Sequence, residues 1–289
     1  METRIDEGRI LAHFDRLLAE GIVIYNEDYR TVKVAHKGFA FEFRILSSLA
    51  TKPQAPCDQR KNALLEQPGC RPGSDINVAG YELATLGPTH LLAVNKFPAA
   101  RPHLLLLTQD GFRRQYEVLD LDDITAAHQV ISSFDSRQLL LFNCGLNSGC
   151  SRMHKHMQIF PAPDPEHFAL WPDSTNPVVP YQFFIHHFLD GLPPPEEILT
   201  VYQSLLCQAE KCFEDTTLHS ESAVPHNVVM DRNWLLVIPR RAAGWDGADT
   251  NAAGMLGMVW VHDEERMKLW LEKGPADVLA RIGIPADAN

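Results

Sequence analysis

Two histidines and a glutamine alternate within segment 151–158, which reads SRMHKHMQ. In an extended strand alternate side chains share one face, so His154, His156 and Gln158 are expected to project together. A neutral imidazole is a competent nucleophile at phosphorus, and a covalent intermediate divides one difficult transfer into two easier steps. The segment therefore predicts a nucleotidyl transferase that carries a nucleoside monophosphate on His156.

A glycine-containing loop, CGLNSGCS over 144–151, comes directly before this strand. Glycines and small polar residues let backbone N–H groups turn toward an anion, which predicts a phosphate held beside the imidazole. The amide of Gln158 donates a hydrogen bond at any pH but takes no proton, so it favours holding a phosphoryl adduct over acid–base hydrolysis. A competing interpretation makes His154, Lys155 and His156 exposed strand residues or metal ligands.

Short apolar runs bounded by turn residues surround these candidates and predict strands. They cover 89–95, 103–108, 138–143 and 156–160, with helices predicted over 1–20 and 122–134 and a long loop over 50–80. Five prolines between 162 and 180 mark a join between two halves. Beyond the join, the pattern predicts helices over 196–213 and 264–282, the latter interrupted at Gly274-Pro275, and a hairpin with strands 227–230 and 234–239. The sequence thus predicts an α+β fold with a first half over 1–170 and a second half over 180–289.

The charge balance and the apolar runs exclude several classes of protein. A net charge of −11, from 37 acidic and 26 basic residues, opposes binding to nucleic acid. The longest apolar runs are too short to cross a bilayer, and no signal peptide begins the chain. Six cysteines without a Cys-x-x-Cys pair predict neither a zinc site nor a dithiol redox centre. We therefore expect a soluble intracellular protein, cytoplasmic with the nucleus left open, that has no metal site of its own and binds neither nucleic acid nor membrane.

Several segments resemble one known family. Residues 154–158 (HKHMQ), with 142–143 (FN) and 148–151 (SGCS), resemble the diadenosine tetraphosphate phosphorylases, also called ATP adenylyltransferases, in the transferase branch of the histidine-triad superfamily. Further similarity to the family pattern lies in segments 43–53, 95–98 and 103–106, at Asn227, and in segments 234–240 and 251–254. The resemblance covers most of the chain.

This resemblance implies a fold, a reaction and a set of site residues. The fold would consist of two histidine-triad-like halves around antiparallel sheets, with the active site in the first half. His156 would accept AMP from diadenosine tetraphosphate and release ATP, and inorganic phosphate would then take the AMP to give ADP. Substrate contacts are implied for Lys52, Asn95, Lys96, Asn143, Ser148, Gly149, Cys150, Ser151, Arg152, His154, Gln158, Asn251 and Gly254. No covalently bound cofactor is implied, and a divalent cation such as magnesium accompanying the polyphosphate is left open.

Two positions depart from the family pattern, and two other functions stay open. Arg152 stands where the family generally has glutamine, and the acidic run 263–265 follows His262 where a lysine is expected. The acidic run disfavours a phosphate-binding role for this end of the chain and instead points to a change in the polyphosphate length that is accepted. One alternative is a hexose-1-phosphate uridylyltransferase, which the missing Cys-x-x-Cys pair disfavours. The other is a non-catalytic nucleotide sensor, which the intact His156 and Gln158 disfavour.

Overall fold

The computed structural model describes residues 5–25, 29–51, 70–213 and 223–286. Lys52 and most of the predicted loop over 50–80 lie outside these residues. The described helices are α1 (Glu7–Ala19), α2 (Leu121–Ser132), α3 (Pro195–Lys211), α4 (Ala252–Met255), α5 (Glu264–Lys273) and α6 (Pro275–Ile282). The described strands are β1 (Arg30–His36), β2 (Phe39–Ile45), β3 (Glu82–Leu86), β4 (His90–Val94), β5 (Leu104–Thr108), β6 (Gln138–Cys144), β7 (His156–Pro161), β8 (Phe184–His187), β9 (His226–Met230), β10 (Trp234–Pro239), β11 (Gly244–Trp245), β12 (Ala248–Asp249) and β13 (Met258–Val261).

One antiparallel sheet of eight strands runs through both predicted halves. Its order is β3-β4-β5-β7-β6-β9-β10-β8, and each neighbouring pair is antiparallel. The strand of His156, β7, lies between β5 and β6, and β6 joins the second half through β9. The prediction of an α+β fold with antiparallel sheets is confirmed. The division into 1–170 and 180–289 stays a prediction, because the sheet itself is continuous across it.

Alternation along the central strands sends side chains to two separate cores. Met157 packs toward α1, α2 and α3, whereas Leu141 and Phe160 pack toward a second layer of the protein. Each large apolar side chain buried in this way contributes about 1.5–3 kcal/mol. By the same alternation, His156 and Gln158 lie on the sheet face that meets the second layer.

A three-stranded sheet forms part of that second layer. Its middle strand, β2, pairs antiparallel with β1 and parallel with β13, so a strand from the second half completes a sheet from the first. Sequence analysis predicted none of these three strands. On β2 three phenylalanines alternate with Ala40, Glu42 and Arg44, which is the period-two pattern of a strand that sequence analysis missed. Glu42 and Arg44 are both buried, and Arg44 Nε donates to Glu42 Oε1 at 2.7 Å, so the fold accommodates two charges on the other face of this strand.

The predicted helices are confirmed, and two of their ends follow from local chemistry. A capping box begins α2: the Asp120 side chain accepts from the Asp123 N–H, and the Asp123 side chain accepts from the Asp120 N–H. Gly274, with a φ of 77° that glycine adopts without strain, separates α5 from α6 as predicted. Asp123 also accepts from Lys155 Nζ at 2.5 Å, and both side chains are buried. This ion pair fixes α2 against the residue that precedes β7.

Candidate functional site

A cleft of about 560 Å³ opens on the face of the large sheet that meets the second layer. Three parts of the chain form its walls: the sheet, the loop before β7 and the second half. Its lining includes Gln158 on β7 with Asn95 and His103 next to the ends of β4 and β5, Leu146, Asn147, Gly149, Cys150, Ser151 and Arg152 from the loop, and Asp249, Thr250, Asn251, Trp260, His262 and Arg266 from the second half. The structure therefore brings together predicted substrate contacts that lie between residues 95 and 251 of the chain.

His156 is the first residue of β7, on the same face as the cleft-lining Gln158. Its side chain is largely buried, with 7% of the residue exposed. Its Nδ1 lies 2.8 Å from the carbonyl oxygen of His154. A carbonyl oxygen only accepts, so Nδ1 carries the proton and the lone pair of the neutral ring lies on Nε2. The main chain of the strand thus selects the tautomer that a nucleophilic histidine requires.

Gln115, which sequence analysis did not single out, holds this strand in place. The ladder between β6 and β7 ends at Leu141 and Gln158, two residues short of Asn143 and His156. There the buried Gln115 side chain takes over: its Oε1 accepts from His156 N at 2.8 Å, and its Nε2 donates to His156 O at 3.0 Å and to Asn143 O at 3.1 Å. Three side-chain bonds therefore replace ladder bonds beside the candidate nucleophile.

The orientation of the Gln158 amide follows from His103 behind it. The N–H of Ala99 donates to His103 Nδ1 at 3.1 Å, so the proton of the neutral His103 ring is on Nε2. That Nε2 donates to Gln158 Oε1 at 2.9 Å. With its oxygen engaged, Gln158 presents its amide nitrogen to the cleft as a donor. The sequence contained His103 at the start of a predicted strand but gave no sign of this role.

Two glycines shape the loop before β7. Gly145 and Gly149 both have a φ of 84°. A Cβ atom at Gly149 would lie 2.5 Å from Thr250 O, so the loop packs directly on the second half. Ser148 is fully buried, and its hydroxyl donates to Gly145 O at 2.6 Å. The Ser148 hydroxyl proton closes the turn and is therefore not directed at a phosphate.

His154 and His156 are both absent from the cleft lining, unlike Gln158, and the ring of His154 is engaged by contacts within the fold. It is buried, its Nε2 donates to Thr108 O at 3.0 Å, and its Nδ1 accepts from the Ser74 hydroxyl at 2.7 Å. Burial lowers the pKa of His154 below its ordinary value, which keeps the ring neutral. The main-chain N–H groups of 153 and 154 donate to the Asp75 carboxylate at 2.8 and 2.9 Å. His154 thus anchors the entry to β7.

Three further predicted contacts have roles within the fold. Lys96 is not part of the cleft lining, and its Nζ lies 5.9 Å from the centres of two aromatic rings. Gly254 is buried in α4, where a Cβ atom would collide with Thr250 Oγ1. Asn251 lines the cleft and caps α4, because its Oδ1 accepts from the N–H of residue 253 at 3.0 Å. Of these three, Asn251 alone is on the cleft wall.

The acidic run after Val261 serves a helix rather than the cleft. Asp263 caps α5, its Oδ1 accepting from Arg266 N at 2.8 Å, and the two glutamates follow in the first turn, where the helix dipole favours them. The cleft wall instead receives His262 and Arg266. Arg266, which sequence analysis did not single out, therefore adds a cationic side chain to the cleft lining, and the effect of the acidic run on the accepted polyphosphate stays a prediction.

The site chemistry rests on imidazole, amide, backbone and guanidinium groups. In the described ranges no cluster of three or more His, Cys, Asp or Glu side chains is arranged to hold a metal ion. The described helices include none that combines the length and apolar character needed to cross a bilayer.

Comparisons with known proteins agree on one family. The model of the Ap4A phosphorylase N-terminal domain matches residues 23–177, and that of the ATP adenylyltransferase C-terminal domain matches residues 177–285. Diadenosine 5',5'''-P1,P4-tetraphosphate phosphorylase 2 of Saccharomyces cerevisiae is 30% identical over 252 residues, covering 76% of this chain and 76% of the relative. Protein APA1 of the same yeast is 27% identical over 248 residues, covering 76% of this chain and 77% of the relative.

Solved structures share the fold over the full length. The crystal structure of yeast Ap4A phosphorylase Apa2 has a TM-score of 0.75 and 24% identity, with 100% of both chains covered. Apa2 in complex with Ap4A has a TM-score of 0.71 and 21% identity, again with 100% of both chains covered. The two family matches meet at residue 177, inside the proline-rich segment predicted as a join.

Proposed function

Because the chain belongs to the family of diadenosine tetraphosphate phosphorylases, also called ATP adenylyltransferases, we propose that it cleaves diadenosine tetraphosphate with inorganic phosphate to give ADP and ATP. The observation that carries the proposal is the arrangement of His156 and Gln158 on one face of β7. His156 has its lone pair on Nε2, and Gln158, whose side-chain oxygen accepts from His103, lines the cleft. A nucleophilic imidazole therefore lies beside an amide that can donate a hydrogen bond to a phosphate oxygen but takes no proton.

Adenylyl transfer proceeds in two steps that balance. In the first, Nε2 of His156 attacks the phosphorus of one AMP unit, the P–O bond to the next phosphate breaks, and ATP leaves. The Nδ1 proton stays on the ring, and its hydrogen bond to His154 O stabilises the positive charge that the ring acquires. In the second step, an oxygen of inorganic phosphate attacks the same phosphorus. The P–N bond breaks, ADP leaves, and Nε2 regains its lone pair.

Cationic groups compensate the charge of the leaving ATP. Arg152 and Arg266 line the cleft, and a guanidinium binds phosphate oxygens through charge-assisted hydrogen bonds. Lys52 and Lys96 are the further contacts to the distal phosphates that the resemblance implies; Lys96 is next to the cleft-lining Asn95 and Phe97, and Lys52 lies outside the described residues. A divalent cation such as magnesium would arrive with the polyphosphate as part of the substrate, and titration with EDTA measures that requirement.

Gln158 favours phosphate over water as the second acceptor. Water must lose a proton as it attacks, whereas phosphate arrives already anionic. Gln158 accepts no proton, and His103 behind it presents an N–H to the glutamine rather than a lone pair. The arrangement therefore supports phosphorolysis rather than hydrolysis.

Incubation with diadenosine tetraphosphate, with and without phosphate, tests the proposal. We expect ADP and ATP in equal amounts and only when phosphate is present. Formation of AMP and ATP at the same rate in phosphate-free buffer would assign the protein to the hydrolases. His156→Ala should lower turnover about 10³-fold or more. His186→Ala, which removes an exposed histidine from β8 of the same sheet, is the matched control and should retain activity.

Capture of the covalent adduct separates an enzyme from a sensor. Protein incubated in phosphate-free buffer with diadenosine tetraphosphate labelled in the phosphates next to adenosine should carry the label as ATP leaves, and His156→Ala should not. Binding of diadenosine tetraphosphate without label or turnover would instead indicate a nucleotide sensor, and turnover of UDP-glucose would indicate a uridylyltransferase.

Because the proposed substrates are intracellular nucleotides, we infer a cytoplasmic location, which cell fractionation tests.

A further inference from the structure

Arg240 is a fully buried cation behind the loop that precedes β7. Within the described residues no carboxylate pairs with it; its Nη1 donates to Asn227 Oδ1 at 2.6 Å, and its Nη2 donates to Ala242 O at 2.8 Å and Thr250 O at 3.1 Å. Burial lowers the pKa of Arg240 to about 9, which leaves the group charged at neutral pH. Burying a charge without a partner of opposite charge is unfavourable, which points to a role beyond packing.

The hydrogen bond from Arg240 fixes the Asn227 amide in one orientation. A guanidinium only donates, so the Asn227 atom that faces it is the oxygen. The Asn227 Nδ2 then donates to Asn143 Oδ1 and to Ser148 O, both at 2.8 Å. All of these residues are buried, so water does not compete for the bonds. The direction of donation therefore runs from the second half of the chain toward the first.

Asn143 receives its orientation from two donors and lies next to the candidate nucleophile. Its Oδ1 accepts from Asn227 Nδ2 and, at 2.9 Å, from Ala252 N, so its Nδ2 is turned away from both. Among the described residues, Nδ2 has no hydrogen-bond partner. Asn143 pairs with Asn227 across β6 and β9, and continuation of the β6–β7 register sets it opposite His156. The Asn143 amide is thus at the same register position of the sheet as His156.

We propose that Arg240 and Asn227 are positioning residues that hold the Asn143 amide as a hydrogen-bond donor beside His156. The inference rests on the proposed function and deepens it: Asn143 Nδ2 donates to a non-bridging oxygen of the adenylyl phosphate while that group is on His156. Without the donor from Asn227, the Asn143 amide can turn over and present its oxygen to the phosphate, which repels it. The second half thereby acts on the reaction through residues that do not touch the substrate.

Asn227→Asp is the sharpest test, because aspartate has nearly the same shape but only accepts. It pairs with Arg240 and no longer donates to Asn143. We expect kcat for phosphorolysis to fall about tenfold, as for loss of one hydrogen bond to a charged group, while KM changes by less than about twofold. Gln138→Met is the control, since it removes a buried amide at the other end of β6 without touching Asn143 or burying an unpaired charge, and it should keep the parent kcat.

A double-mutant cycle separates positioning from general weakening. If Asn227 acts through Asn143, then Asn143→Ala and Asn143→Ala/Asn227→Asp have equal kcat, whereas independent effects multiply. Multiplied effects, or an Asn227→Asp protein with the parent kcat, overturn the proposal. Thermal unfolding of each variant shows which of them fold. If Asn227→Asp does not fold, Asn227→Ala takes its place in the cycle. If the parent protein shows no phosphorolysis, only the proposed function is refuted. The affinity for AMP, measured by calorimetry, then replaces kcat in the double-mutant cycle. Equal affinities of Asn143→Ala and Asn143→Ala/Asn227→Asp would support the network, and multiplied effects would overturn it.

Discussion

Replacement of Gln115 by methionine should destabilise the strand that carries His156. Methionine keeps the length of the side chain but makes none of the three hydrogen bonds from Gln115 to His156 and Asn143. Each buried main-chain group left without a partner costs about 1–3 kcal/mol. Because the surroundings relax around part of this loss, we expect Gln115→Met to lower the free energy of unfolding by about 3–5 kcal/mol. That is a large share of the roughly 5–15 kcal/mol that holds a typical protein folded.

Urea unfolding followed by tryptophan fluorescence measures this loss. Gln208→Met is the matched control, because Gln208 is exposed on α3 and its amide makes one hydrogen bond of 3.4 Å, to Ser204 O. The control should stay within about 0.5 kcal/mol of the parent. A Gln115→Met protein within about 1 kcal/mol of the parent would refute the reasoning that these bonds hold β7 to β6. Activity of the folded variant should also fall, because His156 loses its fixed position.

Three more predictions concern the framework of the site. Lys155→Met leaves the buried Asp123 carboxylate without its ammonium partner and should lower the free energy of unfolding in urea by about 3–5 kcal/mol, and Lys155→Met/Asp123→Asn should recover part of it. Burial raises the pKa of Asp123, but hydrogen bonds and the charge of Lys155 outweigh burial and hold it at about 2, below its ordinary 3.8. Because the pKa of Asp123 is lower in the folded than in the unfolded state, its ionised carboxylate stabilises the fold at pH values above the unfolded-state pKa. We therefore expect the free energy of unfolding to fall by about 2 kcal/mol as the pH drops from about 4 toward 2. The same fall in the Lys155→Met/Asp123→Asn variant would contradict this. Gly149→Ala should lower the unfolding temperature more than Gly145→Ala, because both glycines have a φ of 84° but only Gly149 would place a Cβ atom against Thr250 O; equal shifts would show that the loop and the second half are not in close contact.

The strands around the site could be predicted from the sequence because local apolar runs determine them. The predictions over 138–143 and 156–160 are confirmed by β6 and β7, and the hairpin over 227–239 is confirmed by β9 and β10. The strands β1, β2 and β13 were missed. On β2 the three alternating phenylalanines were a readable strand signal. The burial of Glu42 and Arg44 was not readable, because only the folded chain brings these charges together inside.

The supporting residues of the site could not be predicted, because their roles arise from contacts between distant segments. Gln115 acts on His156, forty-one positions away, and His103 acts on Gln158, fifty-five positions away. Spacing indicates which side chains share a face of a strand, but it does not indicate which of them are already engaged. The ring of His154 illustrates this limit, since its partners are brought to it by other parts of the fold.

The parallel pairing of β2 with β13 has a consequence for how the protein is made. Residue 42 pairs with residue 258, so a ribosome must synthesise nearly all of the described chain before this contact can form. Until then the growing chain exposes unpaired edges of β2 and β6, and such edges invite aggregation. Contacts so distant in sequence also form slowly. Residues of both halves line the cleft, up to Trp270, so its walls are complete only after translation has passed that residue.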